Sequence, residues 1–370
     1  MSRHKEIVQE LFSRCGITIN GQNYWDIQVH DDRMYARVLK EKNLGLGETY
    51  MDGWWDCSRV DEFIYRIITC GLDQKVRGSY KLLFPYVDAL FSSRQSKTRA
   101  EEVAEKHYDR GNDLFLSYLD SYNQYSCAFF QGTSDLEQAQ RNKMDLICRK
   151  VNIKEGDRVL DIGFGWGGLA KYMVENYRCS VTGCNISEEQ VNFARESYRH
   201  LPISIAYCDY RDLQGKFDKV VSVGMFEHVG IRNYRTFMQV VHNCLQDEGI
   251  FLLHTIGKNE SQMCTDAWIT KYIFPNGQLP SIAQVSRAVE GLFVLEDLHN
   301  FGPHYDKTLM AWHRRFQEAW PRLKDKYDIR FKRMWDYYLQ CCAGSFRARD
   351  IQLWQFVFTK YHTPQPECRC

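Results

Sequence analysis

Apolar residues recur at helical spacing from Ile7 to Phe12 and again over Val60–Cys70. A turn-rich stretch, Cys15 to Asn23, follows the first of these. In Asn43–Trp55, Gly45, Gly47 and Gly53 predict turns, and Trp54 and Trp55 predict core or interface anchors. From residue 150 the pattern changes. Short apolar runs predict strands over Arg158–Ile162, Ser180–Cys184, Ser204–Cys208, Lys219–Val223 and Ile250–His254. Between them, helices are predicted over Leu169–Tyr177, Ser187–His200 and Tyr234–Leu245. Ser187 and Gln190 have the spacing of a capping box. This alternation predicts an α/β fold with a mostly parallel sheet flanked by helices. Two aromatic-rich helices, about Leu309–Lys326 and Ile329–Cys342, and a last strand, Gln352–Thr359, complete the pattern.

A chain of 370 residues has room for about two domains. Lys plus Arg number 48 against 47 Asp plus Glu, a net charge of +1 that argues against a dedicated nucleic-acid binder. Apolar runs such as Ile250–Leu253 fall far short of the roughly 20 residues of a membrane span. The opening MSRHKEIVQELF is charged and has no apolar signal core, which predicts a protein kept in the cytoplasm. The 14 cysteines are then expected as thiols. There is no CxxC pair, and Cys341–Cys342 and Cys368-Arg-Cys370 lack zinc-ligand spacing, so no metal site is expected. Residues 75–99 carry six basic residues and one acid, with Leu82, Leu83, Phe84, Tyr86, Val87, Leu90 and Phe91 interleaved among them. That stretch reads either as a linker helix with a solvated basic face or as a surface for anionic lipid.

The strongest local signal is Arg158-Val-Leu-Asp-Ile-Gly-Phe-Gly-Trp-Gly-Gly168, a strand running into a glycine turn that opens a helix. Gly163, Gly165 and Gly168 also satisfy GxGxxG, the pattern of a dinucleotide site. Two details favour another ligand. Asp161 precedes the turn and suits a cationic amino-acid end, while Asn185 stands where an NAD enzyme would place Asp or Glu. Asp209 ends the third strand, where a carboxylate can accept from an adenine amino group. The arrangement looks like the S-adenosylmethionine site of Rossmann-like methyltransferases.

Further blocks extend the likeness: Glu48–Trp55, His107–Phe115, Gln124–Ala128, Val223–Gly230, Leu253–Gly257, Trp268–Gly277, Tyr305–Trp312 and Cys342–Asp350. Together they resemble the cyclopropane synthases that act on phospholipid acyl chains and, more distantly, on mycolic acids. The resemblance implies a Rossmann-like class I methyltransferase fold, with a mostly parallel seven-stranded sheet and helices on both faces. It also implies a smaller N-terminal lipid-associated domain (1–90), a catalytic domain (91–370), a homodimer, and a peripheral location on the inner face of the cytoplasmic membrane. The implied activity is methyl transfer from S-adenosylmethionine to a cis double bond, then proton loss and ring closure. A bound bicarbonate is implied as base, caged by Cys127, Glu227, His254, Tyr305 and the backbone at Ile256. The implied cofactor wall is Tyr125, Ser126, Gly163, Gly165, Asn185, Gln190 and Asp209. Phe164 and Asn185 depart from the family's usual Cys and Thr.

The chemistry explains why such residues would be needed. An isolated alkene is a poor nucleophile and takes a methyl only from a strong electrophile held in line. The resulting carbocation requires a dry site lined by groups that tolerate positive charge, such as aromatic faces. Trp268, Tyr272, Phe274, Tyr305 and Trp312 are candidates, each with core packing as the simpler role. A carboxylate beside an anion repels it, so Glu227 is expected to share a proton with the anion or with His254. From the residues alone, His228 competes with His254. Cys342 reads as packing, because methyl transfer from a sulfonium needs no covalent intermediate. Methyl transfer to another acceptor, or a non-catalytic lipid-surface module, are the competing readings.

Overall fold

The computed structural model describes residues 3–72, 111–261 and 266–369. The basic stretch 75–99 and residues 107–110 of the matched blocks lie outside the described residues. The N-terminal block is helical: α1 (Arg3–Ser13), α2 (Arg33–Glu41), α3 (Asn43–Met51) and α4 (Val60–Thr69). Val8 and Phe12 form the buried stripe of α1, and Phe12 meets Phe63 of α4 edge-on. That packing brings Cys15 and Cys70, just past the two helices, to a Cα separation of 5.4 Å, where they form a disulfide. The expectation of thiols throughout is corrected here. The partners stand 55 residues apart, and only helix packing makes them neighbours.

Gly45 and Gly47 are also corrected: they lie inside α3 rather than in turns. A Cβ on Gly47 would come within 2.4 Å of the Trp268 ring, and one on Gly45 within 2.6 Å of the Arg37 carbonyl. Glycine is kept in this helix for close approach, despite its weak helix propensity. Gly53 does occupy a turn, with φ of +74°.

The sheet has seven strands: β1 (Arg158–Ile162), β2 (Ser180–Asn185), β3 (Ile203–Tyr207), β4 (Phe217–Val223), β5 (Leu245–Lys258), β6 (Val294–Asn300) and β7 (Ile351–Thr359). Their spatial order is β3-β2-β1-β4-β5-β7-β6. Strands β3, β2, β1, β4 and β5 pair in parallel, and β6 pairs antiparallel with β7. Helices α5 (Leu136–Lys150), α6 (Gly168–Tyr177), α7 (Glu188–Ser197), α8 (Tyr234–Cys244) and α9 (Ile282–Val289) accompany it. Alternate strand residues enter two separate cores. Leu160, Ile162, Val220, Phe251, Leu253 and Phe356 pack with α8, whereas Val159, Val221, Leu252 and Val357 pack with α5 and α6. Both faces are therefore covered, as a parallel sheet requires.

Two long helices, α10 (Pro303–Leu323) and α11 (Ile329–Arg347), follow β6. The chain divides into two units. One gathers the described residues of 1–92, 263–275 and 305–351, and the other those of 93–262, 276–304 and 352–370. This differs from a linear division at residue 90. The reason is visible in α11: Arg347 pairs with Asp61, Glu62 and Asp306, and Gln340 accepts the Val60 N–H. Gly344 lets the Asp61 carbonyl approach closely. Among the described residues, no helix is long and apolar enough to cross a membrane.

Candidate active site

β1 ends under a turn that only glycine can follow easily. Gly163 and Gly165 have φ of +80° and +57°. A Cβ on Gly163 would collide with Met225, whereas nothing lies within 4 Å of one on Gly165. The first glycine is thus packed, and the second faces open space. That space is a cavity at the carboxyl ends of the parallel strands, where α/β sheets bind ligands. Tyr125, Gly163, Gly165, Asn185, Gln190 and Asp209 line it, together with Trp166, Arg211, Met225 and His228. Six of the eight residues expected at a cofactor are therefore brought together. Ser126 and Asp161 do not line the cavity.

Asp161 is buried, and its Oδ2 has no hydrogen-bond partner among the described residues. Burial pushes this carboxyl up to about 7, against the opposing charge of Lys143. An unsatisfied acid beneath an open glycine turn fits a ligand with a cationic amino-acid end. Asn185 works locally: its Oδ1 accepts from Ile186 N at 2.8 Å and its Nδ2 donates to Gln190 Oε1 at 2.7 Å. Ser187 caps α7 by accepting from Gln190 N. Asp209 is held in the fork of Arg211, at 2.7 and 2.6 Å, and its Oδ1 also accepts from the Arg211 backbone N–H at 2.9 Å. Trp166 donates to Asn112 Oδ1 at 2.7 Å, and Phe115 stands 5.1 Å from both Trp166 and Tyr125.

Two residues apart on β5, His254 and Ile256 share a face. Ile256 N–H, expected to meet an anion, donates instead to Glu227 Oε1 at 2.7 Å. Glu227 Oε2 is buried and has no hydrogen-bond partner among the described residues. Burial pushes this carboxyl up to about 7, with the Ile256 N–H opposing. His254 is buried and held well below its ordinary range, first by burial and then by the charges of Lys143 and Lys150, so it is neutral. Gln355 Nε2 lies 3.3 Å from Nδ1 of this ring. The amide donating there puts the proton on Nε2, which is buried and has no hydrogen-bond partner. Cys127 is fully buried, and its Sγ is 3.3 Å from the Ala128 carbonyl oxygen. Tyr305 belongs to the first unit, where its ring stacks on Phe346 at 4.6 Å.

Trp268, Tyr272, Phe274 and Trp312 also lie in that first unit. Trp268 packs on Tyr337 and its Nε1 donates to Met51 Sδ, a core role. His228 lines the same cavity, and burial lowers it to about 4, so it is neutral. Burial pushes the Cys342 thiol up to about 12, which suits packing rather than nucleophilic attack. Among the described residues, no group of three or more His, Cys, Asp or Glu side chains could hold a metal. Sequence reasoning missed Lys143, Gln355, Trp166 and Arg211. Two of these left a trace: Lys143 sits at helical spacing from Leu136 and Ala139, and Gln355 interrupts an apolar run.

The strand order, the positive-φ glycine turn and the acid below it define a Rossmann-like, S-adenosylmethionine-dependent methyltransferase. Residues 95–356 match the mycolic acid cyclopropane synthetase family, and the chain belongs to it. It is 53% identical over 354 residues to the cyclopropane-fatty-acyl-phospholipid synthase of Escherichia coli K12, covering 96% of this chain and 93% of that one. The tuberculostearic acid methyltransferase UfaA1 of Mycobacterium tuberculosis is 31% identical over 361 residues, 90% of this chain and 82% of its own. A solved structure of mycolic acid cyclopropane synthase CmaA1, complexed with SAH and CTAB, superimposes with a TM-score of 0.66 at 30% identity. It covers 72% of this chain and 99% of its own.

Proposed function

We propose that this chain methylates the cis double bond of an unsaturated phospholipid acyl chain and then removes a proton to close a cyclopropane ring. One observation carries the ring-closing step. His254 Nε2 and Glu227 Oε2 are buried polar atoms with no hydrogen-bond partner among the described residues, and Glu227 adjoins His228, which lines the cavity. Buried polar atoms are costly unless satisfied. An open donor and an open acceptor would suit a small anion that carries its own O–H, and bicarbonate has both features. A methyltransferase acting on an amine has no use for such a pair.

S-adenosylmethionine supplies an electrophilic methyl group on a sulfonium. Tyr125, Gly163, Gly165, Asn185, Gln190 and Asp209 would line its site, with Asp161 and Ser126 behind them. Aromatic faces at Tyr125 and Trp166 exclude water and tolerate positive charge. Bicarbonate would be held by His254 Nε2–H and Glu227 Oε2, with Cys127 and Tyr305 as the other expected cage members, and supplies a base. The Ile256 N–H fixes the Glu227 carboxyl. With its proton affinity raised to near neutrality, Glu227 is suited to accept and pass on a proton.

The same reading places the chain as a homodimer on the inner face of the cytoplasmic membrane. Residues 1–90 would contact lipid there, and 91–370 would carry catalysis. Similarity to a bacterial synthase named for phospholipid substrates supports it. Neutralising Lys75, Arg77 and Lys81 together should weaken binding to anionic vesicles more than to neutral ones. Light scattering on the purified chain should give twice the chain mass.

The deciding experiment incubates the protein with S-adenosylmethionine, bicarbonate and unsaturated phospholipid vesicles, followed by mass spectrometry of the acyl chains. A gain of one CH2 with loss of the double bond is expected. The same gain with the double bond retained would mean methyl branching. Unchanged chains would point to another acceptor.

A further inference from the structure

α5 carries an ammonium into the interior of the second unit. Lys143 has no exposed surface. Its Nζ donates to Gln124 Oε1 at 2.5 Å and to Ser126 Oγ at 3.0 Å. These two acceptors flank Tyr125, whose side of the chain lines the cofactor cavity. Gln140, one turn earlier on α5, donates to the Ser126 carbonyl at 2.9 Å and the Gln124 carbonyl at 3.4 Å. The segment 124–126 is thus tied to α5 through both side chains and backbone.

Lys143 also acts electrostatically on Asp161, the acid beneath the glycine turn. The Lys143 charge lowers its proton affinity, against burial, which raises it. Burying an ammonium costs several kcal/mol unless charges and hydrogen bonds compensate. Asp120, Cys127 and Asp161 act on Lys143, Lys143 acts on His254, and Asp161 acts on Cys184. Asp120 is already committed, accepting from the N–H groups of Tyr122 at 2.9 Å and Gln124 at 2.8 Å. Asp161 is therefore the carboxylate left for the Lys143 charge to compensate, beneath the glycine turn rather than in the cavity lining.

We infer that Lys143 is a positioning residue for the methyl donor: it holds Gln124 and Ser126 on either side of Tyr125 and supplies the counter-charge to Asp161. The inference rests on reading this cavity as the S-adenosylmethionine site. Without the ammonium, Asp161 sits alone in an apolar setting and takes up a proton. The cationic end of the ligand then loses its anion, and the Tyr125 wall loses its anchor.

The test is calorimetric binding of S-adenosylhomocysteine to the parent, K143M, K143R, D161N and the K143M/D161N double variant, with circular dichroism confirming the fold. K143M should weaken binding about tenfold near neutral pH, the worth of one unit of proton affinity. The loss should shrink at higher pH, where Asp161 ionises again. K143R, which keeps the charge, should recover most of the affinity. In the D161N background, K143M should cost clearly less than in the parent, keeping only the loss of the Tyr125 anchor. Independent losses that multiply, or K143M binding like the parent, would overturn the inference. Should K143M fail to fold, D161N in the otherwise unaltered chain decides, and unchanged affinity there overturns it. If the parent itself does not bind S-adenosylhomocysteine, the reading of the cavity falls, and this inference with it.

Discussion

Gln355 on β7 holds its side-chain nitrogen 3.3 Å from Nδ1 of His254 on the neighbouring strand β5. Both side chains are buried. The amide therefore selects the tautomer that presents Nε2–H. Replacing Gln355 with Leu keeps the bulk and removes the donor. Turnover should fall roughly ten- to hundredfold, the usual effect of losing a residue that orients a functional histidine. Affinity for S-adenosylhomocysteine should not change. Steady-state kinetics beside calorimetry checks both, and unchanged turnover would show that the tautomer does not matter.

Glu227→Gln removes the proton acceptor and keeps the shape. Turnover should drop about a hundredfold or more, with cofactor affinity retained. The variant also reports on stability. Glu227 and Asp161 are both raised to about 7 by burial, above their unfolded values. The folded state therefore keeps protons that the unfolded state has released. This contribution is full below about pH 4 and is lost as pH rises through about 7. Melting curves at pH 5 and pH 8 should show the parent losing stability, with Glu227 accounting for on the order of 3 kcal/mol. E227Q should lose less over the same interval. Parallel losses in parent and variant would contradict the assignment.

Gly47 faces the buried ring of Trp268, and an added Cβ would come within 2.4 Å of it. Gly47→Ala should destabilise the protein by about 1–3 kcal/mol through overpacking, outweighing the roughly 1 kcal/mol that alanine gains in a helix. A lower urea midpoint is expected. A raised midpoint would mean that Trp268 yields without cost.

Cys15 and Cys70 close a loop of 55 residues, which a disulfide stabilises by about 4 kcal/mol in the chain-entropy account. Thiol titration of the oxidised, denatured protein should find two fewer thiols than the 14 cysteines. Its melting temperature should fall on reduction to that of the C15A/C70A variant. A full complement of thiols, or no response to reductant, would exclude the bond.

Much of the sheet was legible because strand patterning is local. Val159 to Ile162 and Lys219 to Val223 are apolar runs bounded by turn residues, and both became central strands. β6 was not legible, since Glu296, Asp297 and His299 break its apolar pattern at an edge where, among the described residues, β7 is its one partner strand. The glycine turn was readable because positive φ restricts residue choice at Gly163 and Gly165. In α3 the same residue type misled, since close packing on Trp268 also selects glycine.

The sequence by itself determined the class of chemistry. Asp161, the glycines after it and Asp209 stand at strand ends, and strand ends are set by local pattern. It could not determine the state of those groups. That Asp161 and Glu227 are raised, that His254 is neutral, and that Lys143 lies among Gln124, Ser126 and Asp161 all follow from burial. So do the Cys15–Cys70 bond and the folding of 305–351 with the N-terminal block. Burial and pairing depend on which distant segments meet. Hydrophobic attraction carries no record of sequence distance, so only the tertiary structure decides them.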